Sequence, residues 1–309
     1  MISWLNLGAL LIAISLSLVA VAGTRGPAPI TGVAPGPGFQ RIVSLGIVSD
    51  AALAELCEPP RVVAVSAWCS GPLARRWSGM PRLSGLDDLE AIIALHPDLV
   101  LVSIEGTSND RVERLRAAGL RVETLGPMHG LDTYIANLAQ IGDLLGRGAE
   151  ARLSGRRLGE RLARIADPAA AKPRAVYVAG YGGTLFGGTV GTSYHDVLLA
   201  AGCRDAAAEG YSGWPQYSRE QLLALHPEIV VTKLGAEPPP LPGARVIALP
   251  GELLEDPGPR LLEAAEALHE QLALPVAQSA AQPVVSPAAV APQQPGAAGA
   301  AGRDTATSR

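Results

Sequence analysis

From Arg41 onward, short β-branched runs alternate with amphipathic stretches. Arg41–Leu45, Arg61–Ser66, Asp98–Ser103 and Arg121–Leu125 predict strands, and Asp50–Cys57, Asp87–Leu95 and Asn109–Ala118 predict the helices between them. Strands alternating with helices imply a parallel sheet covered on both faces. The scheme restarts at Arg174. Arg174–Ala179, Glu228–Lys233 and Arg245–Leu249 read as strands, and Tyr194–Ala201, Glu220–Leu225 and Pro259–Leu272 as helices. Leu261, Leu262, Ala265 and Leu268 share one face of the last. Between the halves, Leu131–Leu145 predicts one helix and Ala149–Ala166 a second, with an apolar stripe of Leu153, Leu158, Leu162 and Ile165, stopped by Pro168 and Pro173. A helix of about 18 residues spans about 27 Å, long enough to bridge two lobes as a stiff strut. The predicted class is α/β, with two lobes built on mostly parallel sheets and joined by a single long rigid helix. The predicted boundaries are an N-terminal lobe over 40–146, a linking helix over 147–171 and a C-terminal lobe over 172–273.

An eleven-residue phrase occurs once in each lobe. Glu90–Val100 reads EAIIALHPDLV and Glu220–Val230 reads EQLLALHPEIV. A long-period repeat in a chain of this size points to two similar lobes, and clefts between domains are where small ligands bind. A residue before proline is disfavoured in the helical region, so each copy spells helix, proline stop, strand. His96 and His226 then read as turn residues, since symmetric duplicates far apart in space do not share one ion. Glu90 and Glu220 fall in the first turn of the repeated helix. There an acid complements the helix dipole, or the pair forms one acidic knob per lobe facing the same partner.

The ends depart from this pattern. Residues 5–22 form an apolar run closed by Ala20-Val21-Ala22, as in an export signal cleaved before Gly23. No Lys or Arg precedes the run, and an uncleaved anchor is the rival, because about 18 apolar residues can just span a bilayer. Either way the body is expected outside the cytoplasm, in the periplasm. Residues 23–39 read as a flexible leader rich in Gly and Pro. Residues 274–309 are rich in Ala, Pro and Gly, a composition that does not offset its ordering entropy and predicts disorder.

Composition narrows the function classes. A net charge of −4 and the lack of a basic stripe interleaved with aromatics argue against nucleic acid. Cys57, Cys69 and Cys203 follow no metal spacing and read as buried apolar residues. With two Phe, six Tyr and four Trp in 309 residues, a loop aromatic stands out, because large rings offer flat apolar contact. Trp68, Trp77, Trp214 and Tyr211 divide between that role and packing. A bare-metal carrier needs three or four converging ligands, and His129, His195 and Glu105 are the thin candidates. Gly180–Gly188 superficially resembles a phosphate loop but lacks its Gly-Lys-Ser/Thr ending. Its glycines read as turns or as close approaches of a ligand to backbone. No hydrolase or metalloprotease signature occurs, so the chain does not read as an enzyme. A solute receptor that signals through a partner remains open beside a transport role.

The phrases LEAIIALHPDLV from Leu89, WPQYSREQLLA from Trp214 and GTSYHDVLLAAG from Gly191, with the openings RIVSL and RVVAVS, carry a resemblance. Over about residues 40–272 the chain resembles the helical-backbone substrate-binding proteins of bacterial ABC importers, which carry cobalamin, siderophores or haem. The resemblance implies two Rossmann-like lobes with a metal chelate between them and no resident cofactor or metal. It implies a monomer that meets an ABC permease and, through it, the ATPase. By motif position it makes Glu90 and Glu220 the docking carboxylates. It points to Trp68, Phe186 and Trp214 as ligand-binding residues, and Tyr211, a scarce aromatic, and Glu105, an acid near His129 and His195, complete the candidate set. Ser84 and Ser103 stand where two further tryptophans are expected, which implies a roomier or more polar pocket, with cobalamin or a related corrinoid first and a siderophore or haem second.

Overall fold

A computed structural model describes residues 38–103, 108–127, 129–181, 183–236, 238–254 and 258–274. The expected export segment, nearly all of the expected leader and tail, and Glu105 lie outside the described residues. No helix among the described residues is long and apolar enough to cross a membrane.

The N-terminal lobe runs β1 (Ile42–Ser44), α1 (Ile47–Leu56), β2 (Val62–Ser66), α2 (Gly71–Arg76), β3 (Arg82–Leu83), α3 (Leu89–Ala94), β4 (Leu99–Ser103), α4 (Asn109–Ala117) and β5 (Val122–Leu125). Its sheet has the order β3-β2-β1-β4-β5 and is parallel throughout. The order reverses beside β1, and in open α/β sheets ligands bind outside the carboxyl ends of the strands at such a switch. Helix α1 begins three residues before the predicted Asp50. Gly46 is its N-cap, so Asp50 lies in the first turn with its side chain directed inward.

Helices α5 (Leu131–Leu144) and α6 (Gly148–Leu162) follow. A Cβ on Gly142 would lie 2.4 Å from Ala151 Cβ, and one on Gly155 2.9 Å from Ile135 Cγ2. The two helices therefore pack backbone to backbone, as only glycine permits. The strut is thus one arm of a helix pair. It has 15 residues, about 22 Å, and stops six residues before Pro168. Ser154 Oγ donates to Glu55 Oε2 at 2.6 Å and Arg147 Nη1 to the Leu56 carbonyl at 2.5 Å, which fasten it to the N-terminal lobe.

The C-terminal lobe runs β6 (Arg174–Tyr181), β7 (Thr184–Gly187), α7 (Ser193–Ala200), β8 (Arg204–Asp205), β9 (Gln216–Tyr217), α8 (Arg219–Ala224), β10 (Ile229–Lys233), β11 (Arg245–Leu249), α9 (Gly251–Leu254) and α10 (Arg260–Ala273). Strands β8, β6, β10 and β11 pair in parallel, whereas β7 turns back antiparallel on β6 and carries β9. The glycine-rich stretch is therefore largely a hairpin. Gly183 supplies the turn at φ +81°. Gly187 and Gly188 instead admit the chain's own rings: a Cβ on either would lie 2.2 Å from Tyr217 and Tyr194 respectively.

One buried cluster crosses both lobes, from Leu53 and Leu101 through Leu138, Ile141, Leu158 and Leu162 to Val197, Val231 and Leu262. Each of these leucines contributes about 1.5–3 kcal/mol by leaving water. A continuous core of this kind resists wide hinge motion, because packed interiors do not deform smoothly. Cys57, Cys69 and Cys203 are all buried within it. Burial raises the Cys57 thiol and pushes Cys203 up to about 12.

The doubled phrase builds the same object twice. Helices α3 and α8 have six residues each, and residues 91–100 and 221–230 share one burial pattern position by position. The helices end on His96 and His226, both left-handed at φ 46°. That conformation suits a position where the following proline disfavours the right-handed helical region. Histidine is among the non-glycine residues enriched there. Arg41 Nη2 donates to the Leu95 carbonyl at 2.6 Å, and Arg174 Nη2 to the Leu225 carbonyl at 2.9 Å, which satisfies the helix ends.

Candidate ligand-binding site

Trp68 follows the carboxyl end of β2 and is the most exposed large apolar side chain described, at 71%. Its approach is held from beneath. The Asp50 carboxylate, fully buried, accepts from Ser66 Oγ at 2.6 Å and from Ser66 N at 3.3 Å, and Ser66 is two residues before the tryptophan. Desolvation raises Asp50 to about 6, against the lowering effect of hydrogen bonds from Ser44 and Ser66. Trp77, in contrast, is core: its ring is fully buried and Nε1 donates to the Asp50 carbonyl at 3.2 Å.

Trp214, 49% exposed, lies on the segment that zips onto the end of β7. Gly187 N donates to the Pro215 carbonyl at 2.8 Å, Thr189 N to Gly213 at 3.0 Å, and Gly213 N to Val190 at 2.9 Å. The backbone is thus pinned on both sides of the indole. The ring meets the opposite lobe, with its centroid 6.4 Å from that of His129, tilted by 57°. His129 follows β5, and among the described residues its ring lies beside an aromatic rather than among metal ligands.

Phe186 and Tyr211 do not share a face. Phe186 pairs with Gln216 across β7 and β9, next to the pair Leu185 and Tyr217. Successive strand side chains point to opposite faces. Tyr217 and Leu185 belong to the outer core of the C-terminal lobe, and half-buried Tyr211 packs against the same core, edge-on to Tyr217 at 5.1 Å. Half-buried Phe186 is on the other face, the face of its β6 partner Ala179, which packs against the core shared by both lobes. Ser84 is exposed and Ser103 half-buried at the end of β4.

The lobes touch beside both loop aromatics. Asp196 Oδ2 accepts from Leu131 N at 2.6 Å, two residues after His129. Burial raises the Asp196 carboxyl against that bond. A Cβ on Gly130 would lie 2.4 Å from the same oxygen, and one on Gly71 would lie 3.0 Å from Glu252 Cβ. Sequence reading missed both glycines, whose need appears only when the lobes meet.

His195 is engaged elsewhere. Its Nδ1 is 2.7 Å from Asp205 Oδ2, which also accepts from Thr189 Oγ1 at 2.6 Å. Among the described residues no group of three or more His, Cys, Asp or Glu is placed to hold a metal ion.

Glu90 and Glu220 are exposed in the first turns of α3 and α8. Helix α8 begins with a capping box in which Ser218 Oγ accepts from Gln221 N at 3.2 Å and Gln221 Oε1 accepts from Ser218 N at 2.7 Å. The Glu220 backbone N–H, followed by Ser218, holds the Glu220 carboxyl below its ordinary range. Helix α3 lacks the box: its N-cap Asp88 accepts instead from Ser84 N at 2.5 Å.

The vitamin B12-binding protein of Photorhabdus laumondii is 29% identical over 221 residues, 68% of this chain and 80% of that relative. The cobalamin-binding protein of Halobacterium salinarum is 32% identical over 209 residues, 64% of this chain, which spans 55% of that relative's length. A solved periplasmic haem-binding protein from Pseudomonas aeruginosa matches with a TM-score of 0.64 at 28% identity, covering 75% of this chain and 92% of that one. The profile described as periplasmic binding protein matches residues 42–265, and the chain belongs to that family.

Proposed function

We propose that this chain is an extracytoplasmic carrier that holds cobalamin or a related metal chelate between its lobes and hands it to an ABC permease and, through it, the ATPase. One observation carries the reading: two tryptophans stand exposed on loops, and one of them, Trp214, meets the opposite lobe at His129. Large rings left in water gain when a flat apolar ligand covers them. The family to which the chain belongs consists of binding proteins rather than enzymes, and two relatives are named for cobalamin or vitamin B12. Residues 1–22 serve as the export signal in this reading, and Glu90 and Glu220 as the docking carboxylates.

The test is a tryptophan-fluorescence titration with cyanocobalamin, haemin and a panel of ferric siderophores. Saturable quenching by cyanocobalamin, weakened about tenfold or more in Trp68→Ala or Trp214→Ala, supports the reading. Saturation by none of the probes would sink it. Permease binding that is lost on reversing both glutamate charges separates delivery from a signalling receptor. Haem is the second reading, favoured by His129 beside Trp214 because imidazole is an axial ligand of haem iron. A haemin absorption band that shifts in His129→Ala would decide for it.

A further inference from the structure

The repeated helices expose more than their glutamates. Ile93 is 37% exposed and Leu223 39%, three residues after Glu90 and Glu220 respectively. Residues three and four apart lie on one helix face, so each face joins a carboxylate to an aliphatic side chain. Ala94 and Ala224, four residues after each glutamate, are exposed too and leave that face low. The packing needs of α3 and α8 are met on the other side by Ile92 and Leu222, both fully buried. Neither Glu90 nor Glu220 forms an ion pair among the described residues, and neither helix has a basic residue in its last turn.

We infer that Ile93 and Leu223 are the apolar halves of two equivalent docking patches, one per lobe, each taken by a basic side chain next to apolar surface on one subunit of a two-fold-related membrane permease. The inference rests on the docking reading of Glu90 and Glu220. The exposed carboxylates call for cations. Two patches of one chemistry, on lobes built from the same phrase, call for a partner that offers its own site twice. Covering the exposed part of one such aliphatic is worth on the order of a tenfold change in affinity.

The test titrates the whole chain onto nanodiscs that carry the organism's own chelate-type permease–ATPase complex, with empty nanodiscs as control. Ile93→Ala and Leu223→Ala should each weaken docking about tenfold and together about a hundredfold, with thermal unfolding and cyanocobalamin or haemin titration unchanged. Ile93→Met with Leu223→Met should restore docking. If the double alanine variant docks like the parent while Glu90→Lys with Glu220→Lys does not, the apolar half is wrong and the docking reading stands. If neither pair of changes weakens docking, the docking reading fails as well. Equal loss on empty nanodiscs would assign the patches to lipid. Loss of self-association in sedimentation would assign them to a second copy of this chain. Either result overturns the inference.

Discussion

Arg174 and Glu228 bond to each other through both backbone and side chain. Glu228 N donates to the Arg174 carbonyl at 2.8 Å, and Glu228 Oε1 accepts from Arg174 N at 2.9 Å. Arg41 and Asp98 repeat the arrangement, at 2.9 Å for both bonds. Each acid after His-Pro therefore seats the start of the neighbouring strand, at Arg174 in β6 and at Arg41 just before β1, while the arginine side chain closes the preceding helix. Glu228→Ala removes one charged acceptor and leaves the Arg174 N–H to water. It should cost about 1–2 kcal/mol in urea denaturation, with chelate affinity unchanged. A loss of affinity without a loss of stability would move Glu228 into the site.

The two left-handed histidines give a second prediction. An L-residue in that region carries a cost of about 1–2 kcal/mol that glycine escapes. The gain is reduced because glycine also adds freedom to the unfolded chain. His96→Gly and His226→Gly should each leave stability unchanged or raise it by up to about 1 kcal/mol. His226→Val, β-branched at φ 46°, should lower it by about 1–2 kcal/mol. Thermal unfolding checks both, and altered ligand affinity in the glycine variants would contradict a purely structural role.

The doubled phrase was legible because helix, stop and strand all lie within eleven consecutive residues. The same holds for the five longer parallel strands, β2, β4, β6, β10 and β11, whose β-branched runs show without their partners. Strands β3, β8 and β9 have two residues each, too few for a period. They exist because β2, β6 and β7 offer them an edge. The site divides in the same way. Trp68 and Trp214 stood out as scarce rings beside turn residues. The bond from Leu131 N to Asp196 and the exchange between His195 and Asp205 needed the fold to bring distant segments together. Phe186 and Tyr211 show as aromatics in the sequence, but only the pairing of β7 with β9 and the packing of Tyr211 on Tyr217 reveal that they face opposite ways.

Asp50 predicts a pH dependence of stability. Its carboxyl rises from 3.8 to about 6 on folding, chiefly through burial. The folded state therefore holds this proton more tightly than the unfolded chain. The group's contribution is greatest below pH 3.8 and is lost as pH rises through about 6, by on the order of 3 kcal/mol. Asp50→Asn should flatten the stability profile between about pH 4 and 6, read by denaturant unfolding at each pH. Because Asp50 also holds Ser66, two residues before Trp68, the same variant should weaken cyanocobalamin or haemin binding. An unchanged slope would mean that the carboxyl titrates in its ordinary range.

Gly130 tests how stiffly the lobes are joined. It has φ +93°, where a side chain is strained, and an added Cβ would lie 2.4 Å from Asp196 Oδ2 and 3.2 Å from the Thr192 carbonyl. An alanine there must displace the Asp196 carboxylate and push slightly on the Thr192 backbone at the start of α7. That breaks the Leu131–Asp196 bond and shifts His129, the neighbour that faces Trp214. Gly130→Ala should therefore cost about 2 kcal/mol or more and weaken chelate binding. Asp196→Asn keeps an acceptor oxygen for Leu131 N and should cost less. The continuous core through α5 and α6 predicts that X-ray scattering of the parent changes little when ligand is added. Gly130→Ala loosens one interlobe contact and leaves that core in place, so it should enlarge the scattering difference only slightly. A large rotation in the parent would show that the helix pair bends, and a large rotation in the variant alone would assign the stiffness to the Leu131–Asp196 contact.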